Sequence, residues 1–384
     1  MHNFQVSQQP GHRPPNSGTA LLGEKYRRRN RVDPTRDGDP EGRWIAIDES
    51  GWDGEQLLGA SRSRYLIIGS VAISDEDALP IVEAIRREAR IASAELKFST
   101  SFARDGRSRQ RGVLNEILRH DGPLGSRASV YVVDKQYVVV AKLIDLFVET
   151  KAHNAGVDIR NTGEARKLAR TLFTDGSRAL GSDGFSDLLQ AAVDFAASKN
   201  RGTSAEEFFN AVEKAWGRSH RRNVSEVLEL LRACRTEIDA HALDVQNGLW
   251  LEALEPLFPA VFAMSRLWSI RIGRVNVLTD DQKVLTDRHL DQLHADLSGR
   301  GIQEFRYMVS QVRMGELVRG ESSRHPSLQL ADLVAGAGFQ VAERHAGHPS
   351  PAGEELYEAI IPMIEENSLV PYDDPRLMAD VPTN

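Results

Sequence analysis

Four aspartates and one glutamate in this chain stand where hydrophobic residues belong. Asp48 closes the apolar run "WIAI" (44–47), Asp134 closes "VYVV" (130–133), Asp280 closes "VNVLT" (275–279), and Asp332 interrupts the apolar stripe of a helix. Glu95 stands beside a short apolar stretch in "AELKF" (94–98). An isolated ionised carboxylate in such surroundings shifts its pKa or destabilises the fold, whereas several that converge can share a divalent cation and stay charged. Oxygen-only ligands suit Mg²⁺ or Mn²⁺, and a carboxylate-held pair of such ions drives in-line displacement at phosphorus. The chemistry these residues could carry is phosphoryl transfer.

Each acid also has a plainer use. A strand-end Asp often caps the turn that follows it, and a helix-face Asp can pair with an Arg or Lys. For Asp134 the plainer use is favoured, because Lys135 and the helical region beside it offer surface partners. Asp281 reads as a solvated neighbour of Asp280, although a shift of one residue in register would exchange their roles. Glu49 points to the opposite side of the strand from Asp48, toward a turn or a salt bridge.

Periodicity gives the elements that must position these acids. Residues 43–48 and the continuously apolar "RYLIIGSVAI" (64–73) read as strands, paired as a hairpin around a loop from Gly51 to Ser63. Ser74 with Asp77 makes a capping pattern for a helix through Ile81, Ile85 and Ala89. An arginine-rich helix is expected near 108–119, a strand at 128–134, a strand at 271–281, a helix near 285–298 and a strand at 304–312. The last strong helix starts after Pro326; its stripe of Leu328, Ala331, Ala335, Phe339 and Ala342 includes Asp332, which therefore points toward protein. Strands joined through helical crossovers tend to be parallel, so Asp134 and Asp280 are expected at one sheet edge, where α/β folds place their sites.

The expected division has four parts. Residues 1–42, rich in proline, glycine and charge, read as a disordered or loosely attached arm. Residues 43–137 form the first part of an α/β domain, 138–268 an all-helical insertion, and 269–384 the second part with a C-terminal tail.

Composition narrows the class. With 384 residues and 41% hydrophobic content, the chain can bury a substantial core. The formal charge of −7 argues against a wholly basic surface for nucleic acid. Local arginine clusters remain, at Arg27, Arg28, Arg29 and Arg31, at Arg104, Arg107, Arg109 and Arg111, and at Arg218, Arg221 and Arg222; each reads as solvated surface or as a binding patch. One cysteine, Cys234, excludes an intrachain disulfide framework or a thiolate zinc cluster, and a reducing cytoplasm fits. No run of ~18 apolar residues exists to span a membrane, and the opening segment lacks the apolar core of a signal peptide. GxxxxGK[ST] and HExxH are absent, and "GASRS" (59–63) lacks the strand-turn-helix context of a nucleophile elbow. His325, just before Pro326, reads either as a residue near the start of the last helix or, the favoured reading, as a surface loop histidine.

Four segments carry a resemblance. "IAIDESG" (45–51), "ELKFS" (95–99), "VNVLTD" (275–280) and "LQLADLVAGA" (328–337) are similar, in the same order, to landmark segments of the bacterial and phage family known as domain of unknown function 3800. The resemblance covers 43–135 and 270–345 and leaves out the arm and the helical insertion. It implies a ribonuclease H-like mixed sheet flanked by helices, with the first strand in the middle of the sheet. It also implies an acidic site of Asp48, Glu95, Asp280 and Asp332, four of the five acids singled out by patterning. Lys97 matches the family's variable His or Lys after the Glu, where it could contact a phosphate, hold Glu95, or be an ordinary surface lysine. The chain departs from the family near 309–316, "VSQVRMGE", where members often carry an acid and a lysine.

The leading expectation is thus a nuclease or related phosphoryl-transfer enzyme that depends on Mg²⁺ or Mn²⁺ and acts on DNA or RNA. Asp48, Glu95, Asp280 and Asp332 would be both its catalytic residues and its metal ligands, with Lys97, Arg104, Arg107 and Arg109 as contacts to the nucleic-acid backbone. The alternative is a non-catalytic module of a defence or mobile-element system, such as phage defence, that binds nucleic acid or a protein partner through the helical insertion.

Overall fold

A computed structural model describes residues 42–52, 57–58, 63–196, 204–246, 256–280 and 313–376. The chain is an α/β protein built on a mixed five-stranded sheet with helices on both faces. The strands are β1 (Arg43–Ser50), β2 (Tyr65–Val71), β3 (Ala128–Asp134), β4 (Val275–Asp280) and β5 (Met314–Gly320), in the order β3-β2-β1-β4-β5. β1 and β2 form the expected antiparallel hairpin, with Asp48 opposite Gly69. β3 is antiparallel to β2, whereas β4 is parallel to β1 and β5 parallel to β4. β2 therefore runs against the other four, and the C-terminal ends of β1, β3, β4 and β5 share one edge.

Strand alternation sorts the core into two faces. Ile45, Ile47, Leu66, Ile68, Val133 and Val277 belong to one core cluster. Ala46, Ile67, Val130, Val132 and Leu278 belong to the other. β2 and β3 are buried throughout, which explains their unbroken apolar sequences.

The second face is covered by α1 (Asp75–Ala89), the short α2 (Phe98–Ser101), α3 (Ser108–Leu118) and a long C-terminal helix. α1 begins as its sequence indicates: the Ser74 hydroxyl accepts the Asp77 N–H at 3.2 Å, and Asp75, Glu76 and Asp77 place negative charge at the helix start. The first face is covered by helices that follow β3 directly. These are α4 (Lys135–Leu143), a π-helical turn (Ile144–Glu149), α5 (Thr150–Asn154), α6 (Glu164–Leu180), α7 (Ser182–Ala196), α8 (Ala205–Arg218), α9 (Arg222–Arg232), α10 (Arg235–Gln246) and α11 (Leu257–Ile272). They share a core with the sheet: Trp268 of α11 donates its indole N–H to Ser70 of β2 at 2.9 Å.

The long helix is α12 (Pro326–His345), with Pro326 in its first turn. It lies so close over β2 that a side chain at Gly69 would collide with the backbone of Ala331 and Ala335. Beyond α13 (Pro351–Glu355) and α14 (Tyr357–Ile360), Ile364 and Leu369 bridge to Val130 and Val133, which covers the outer edge of β3.

Two boundaries differ from the sequence reading. Arg271 and Ile272 end α11 and do not begin β4; Gly273, at φ +83°, stops the helix and lets the strand start at Val275. β5 has no counterpart in the reading, because it is a largely exposed strand in which only Leu317 is buried, so its apolar alternation is weak. The helix near 285–298, the strand at 304–312, Asp281 and the cluster from Arg27 to Arg31 lie outside the described residues.

A candidate acidic site at the C-terminal sheet edge

Asp48 and Asp280 end adjacent parallel strands. The register pairs Ala46 with Leu278 and Ile47 with Thr279, which brings Asp48 and Asp280 side by side on neighbouring strands about 4.8 Å apart. Alternation sends both side chains to the face of Ala46 and Leu278, the one beneath α12. Asp48 is 6% exposed, and one of its oxygens accepts the Glu49 backbone N–H at 2.8 Å.

Asp332 enters from above. It projects from α12 toward the segment before α2 and accepts the Phe98 N–H at 2.6 Å. Three residues earlier on the same helix, the buried Gln329 accepts the Leu96 N–H at 3.0 Å and donates to the Ser322 carbonyl at 3.0 Å. Ser322 in turn donates its hydroxyl to Glu95. The segment 95–98 is thus fastened to α12 by two backbone N–H groups, and Glu95 is held from the loop after β5. Lys97 Nζ lies 3.3 Å from the Glu95 carboxylate.

These groups act on one another electrostatically. Burial pushes the Asp48 carboxyl well above its ordinary range, and the negative charges of Glu49, Asp332 and Asp280 push it further, against the pull of the Glu49 N–H. Burial raises Asp332 to about 6, with Glu95 and Asp280 adding to the rise and the Phe98 N–H and Lys97 opposing it. For Lys97, burial works downward but is outweighed by its hydrogen bond to Glu95 and by the fields of Glu95, Asp332 and Asp280, so its pKa is raised. No guanidinium pairs with Asp48, Glu95, Asp280 or Asp332 among the described residues.

Among the described residues, no group of three or more His, Cys, Asp and Glu side chains is arranged so that it could hold a metal ion. The donor chemistry nonetheless fits a hard divalent cation. All four acids supply oxygen, Asp48 and Asp332 are protonation-prone chiefly because of desolvation, and the cation standing beside the group is the Lys97 ammonium.

The other acids and arginines singled out by sequence have separate positions. Asp134 is fully buried, pairs with Arg64 at 2.7 Å and caps α4 by accepting the Gln136 and Tyr137 N–H groups. It shares the sheet edge with Asp280, but β2 and β1 lie between them. Its cation is Arg64 and not the neighbouring Lys135, which is itself buried. Arg109 donates to the Glu88 carbonyl at 3.0 Å and ties α3 to the end of α1. Arg111 is 2% exposed and pairs with Glu355 at 2.8 Å, a structural role. Arg104 is exposed and Arg107, half-buried, precedes α3.

Sequence reading missed Gln329, Ser322 and Asp75. Gln329 carries the same signal as Asp332, a polar residue on a buried helix face. Asp75 contacts His325 at 2.6 Å, from which His325 emerges as a fixed group at the head of α12 and not a loose surface residue.

The chain matches no family model, no curated protein and no solved structure. No helix among the described residues is long and apolar enough to cross a membrane.

Proposed function

We propose that the chain is a nuclease, or a related phosphoryl-transfer enzyme, that uses Mg²⁺ or Mn²⁺ and acts on nucleic acid, built on a ribonuclease H-like sheet of the kind found in the domain of unknown function 3800 family. One observation carries the reading: four carboxylates from distant parts of the chain lie near one sheet edge and act on one another electrostatically, the buried Asp48 and the half-buried Asp332 both raised in pKa, without a guanidinium partner among the described residues. The central place of β1 in the sheet supports the same fold assignment.

Asp48 and Asp280 would hold the cation between the strand ends, with Glu95 and Asp332 completing the oxygen donors. When bound, such a cation lowers the pKa of a water and stabilises charge at phosphorus. Gln329 and Ser322 keep Glu95 in place, and Asp332 keeps Lys97 and Phe98 against α12. Lys97, beside the carboxylates, would contact a substrate phosphate, and the exposed Arg104 would extend that contact along the backbone.

The test is cleavage of single- and double-stranded DNA and RNA by the purified chain with Mg²⁺ or Mn²⁺. Metal-dependent cleavage that is lost in Asp48→Asn supports the reading. Intact nucleic acids throughout, or cleavage that survives Asp48→Asn, overturn it.

A further inference from the structure

We propose that the end of α1 and the start of α3 form a basic platform that holds the phosphate backbone of a duplex nucleic acid beside the acidic site. The inference rests on the nuclease reading above and names the form of its substrate.

Two arginine groups come together at this junction. Arg86 and Arg87 lie in the last turn of α1 and Arg90 caps it, while Arg104 and Arg107 precede α3. Arg109 donates to the Glu88 carbonyl at 3.0 Å and Gln110 to the Ala89 carbonyl at 3.2 Å, which fastens the start of α3 to the end of α1. The buried Arg111 donates to the carbonyls of Phe102 at 3.1 Å and Arg104 at 2.9 Å. The Ala103 N–H donates to the Phe98 carbonyl at 3.1 Å, and Asp332 accepts the Phe98 N–H. A continuous set of contacts thus runs from the acidic site, through the segment that carries Lys97, to both arginine groups.

The charges at the junction are uncompensated. Among the described residues, Arg86, Arg90, Arg104 and Arg107 have no carboxylate partner, and Arg86 Nε is a buried donor without an acceptor. Of the acids beside them in sequence, Glu88 pairs with Arg87 at 3.6 Å, and Glu83 and Asp105 are exposed.

Arg90 adds an independent observation. It caps α1 in the left-handed conformation, with φ 55° and ψ 49°, and no other non-glycine residue among those described has a positive φ. Glycine or asparagine suits that position, and an arginine there is strained. Arg90 is exposed and forms no ion pair among the described residues, so no such contact within the fold offsets the strain. A phosphate held by its guanidinium would.

The surface suits a duplex better than a single strand. Proteins that hold single strands stack the bases on aromatic rings, whereas binding along a duplex backbone needs only cations at the phosphates. The rings of these segments, Phe98 and Phe102, stack on each other and are 3% and 0% exposed. Contacts of this kind set the position of the duplex and carry no sequence information.

The experiment measures binding of the full chain to a fluorescent DNA duplex, the matching RNA duplex and a single strand of the same sequence. Anisotropy is read in chelator, so that cleavage does not intervene, across a series of salt concentrations, and each variant is checked for folding by its thermal transition. Arg86→Gln, Arg90→Gly and Arg104→Gln are each expected to lower the salt slope by about one and to weaken duplex binding roughly tenfold at about 0.1 M salt. Arg90→Gly is also expected to melt at the wild-type temperature or above, because glycine relieves the strained turn, while Arg90→Lys keeps the charge and the affinity. Arg221→Gln combined with Arg222→Gln, a loss of charge at the start of α9, is expected to leave binding unchanged. The two duplexes show which sugar accompanies the backbone. Duplex affinity unchanged in the three α1 and α3 variants, an equal fall in the α9 variant, tighter binding of the single strand, or displacement of the duplex by polyglutamate at equal charge overturns the platform; metal-dependent cleavage that needs Asp48 keeps the nuclease reading in each case. Duplex binding with the expected losses, in a chain that cleaves nothing, supports the platform and removes the nuclease reading alone.

Discussion

Asp332 accepts the Phe98 N–H at 2.6 Å, so the helix that carries the last acid also clamps the segment that carries Glu95 and Lys97. One carboxylate therefore has two duties, which substitutions can separate. Asp332→Asn keeps a side-chain oxygen for the Phe98 N–H and removes the charge. The expected outcome is a folded protein that has lost its thermal response to Mn²⁺, read by the melting temperature with and without the ion. Asp332→Ala also strands the buried N–H, at a further cost of about 1–3 kcal/mol in chemical denaturation.

The raised carboxyls set a pH dependence. With a folded pKa of about 6 for Asp332 against about 3.9 when unfolded, the native state binds more protons than the unfolded chain between those values. Stability from this group is fullest below the unfolded pKa and falls as pH rises through 6, by roughly 3 kcal/mol. Asp48 is raised as well and acts in the same direction. In chelator, Asp332→Asn is thus expected to be more stable than the wild type near neutral pH, and the gap should close toward pH 4.

Metal should act in the opposite sense. A cation bound by the ionised carboxylates stabilises the native state by mass action, so Mn²⁺ should raise the melting temperature more at pH 7.5 than at pH 5. Removal by chelator should reverse the gain. An equal effect at both pH values would separate the stabilisation from these acids.

Gln329→Leu keeps the volume in α12 and removes its hydrogen bonds to the Leu96 N–H and to the Ser322 carbonyl. A loss of about 2–4 kcal/mol is expected from the stranded Leu96 N–H and Ser322 carbonyl. Mn²⁺ affinity, measured by calorimetry, should fall with it, because Glu95 is no longer held.

Asp134 lies at the same edge and should behave differently. Removing its cation in Arg64→Met leaves a fully buried charge, and about 3 kcal/mol or more of stability should go. Because Asp134 serves Arg64 and the start of α4, the variant's thermal shift with Mn²⁺ should match that of the wild type.

Much of this arrangement was legible in the chain. The hairpin, β3 and α12 announce themselves through unbroken or periodic apolar residues, and Asp48, Asp280 and Asp332 stand out because they break those patterns. Asp134 broke the same pattern for another reason. Its partner Arg64 is 70 residues away in sequence, and only the pairing of Tyr65 with Asp134 across β2 and β3 brings the two together. β5 and the Asp75–His325 contact were illegible on similar grounds. An exposed edge strand has little apolar pattern, and a contact between two helix starts, 250 residues apart, leaves no local trace.

The most direct test is a crystal soaked in Mn²⁺ at neutral pH, with anomalous scattering read at the end of the sheet. Manganese density bridging Asp48 and Asp280, with Asp332 or Glu95 among its ligands and Lys97 displaced toward solvent, is the expected result. Density absent there at saturating Mn²⁺, with the Lys97 ammonium still against Glu95, would contradict a cation-dependent site.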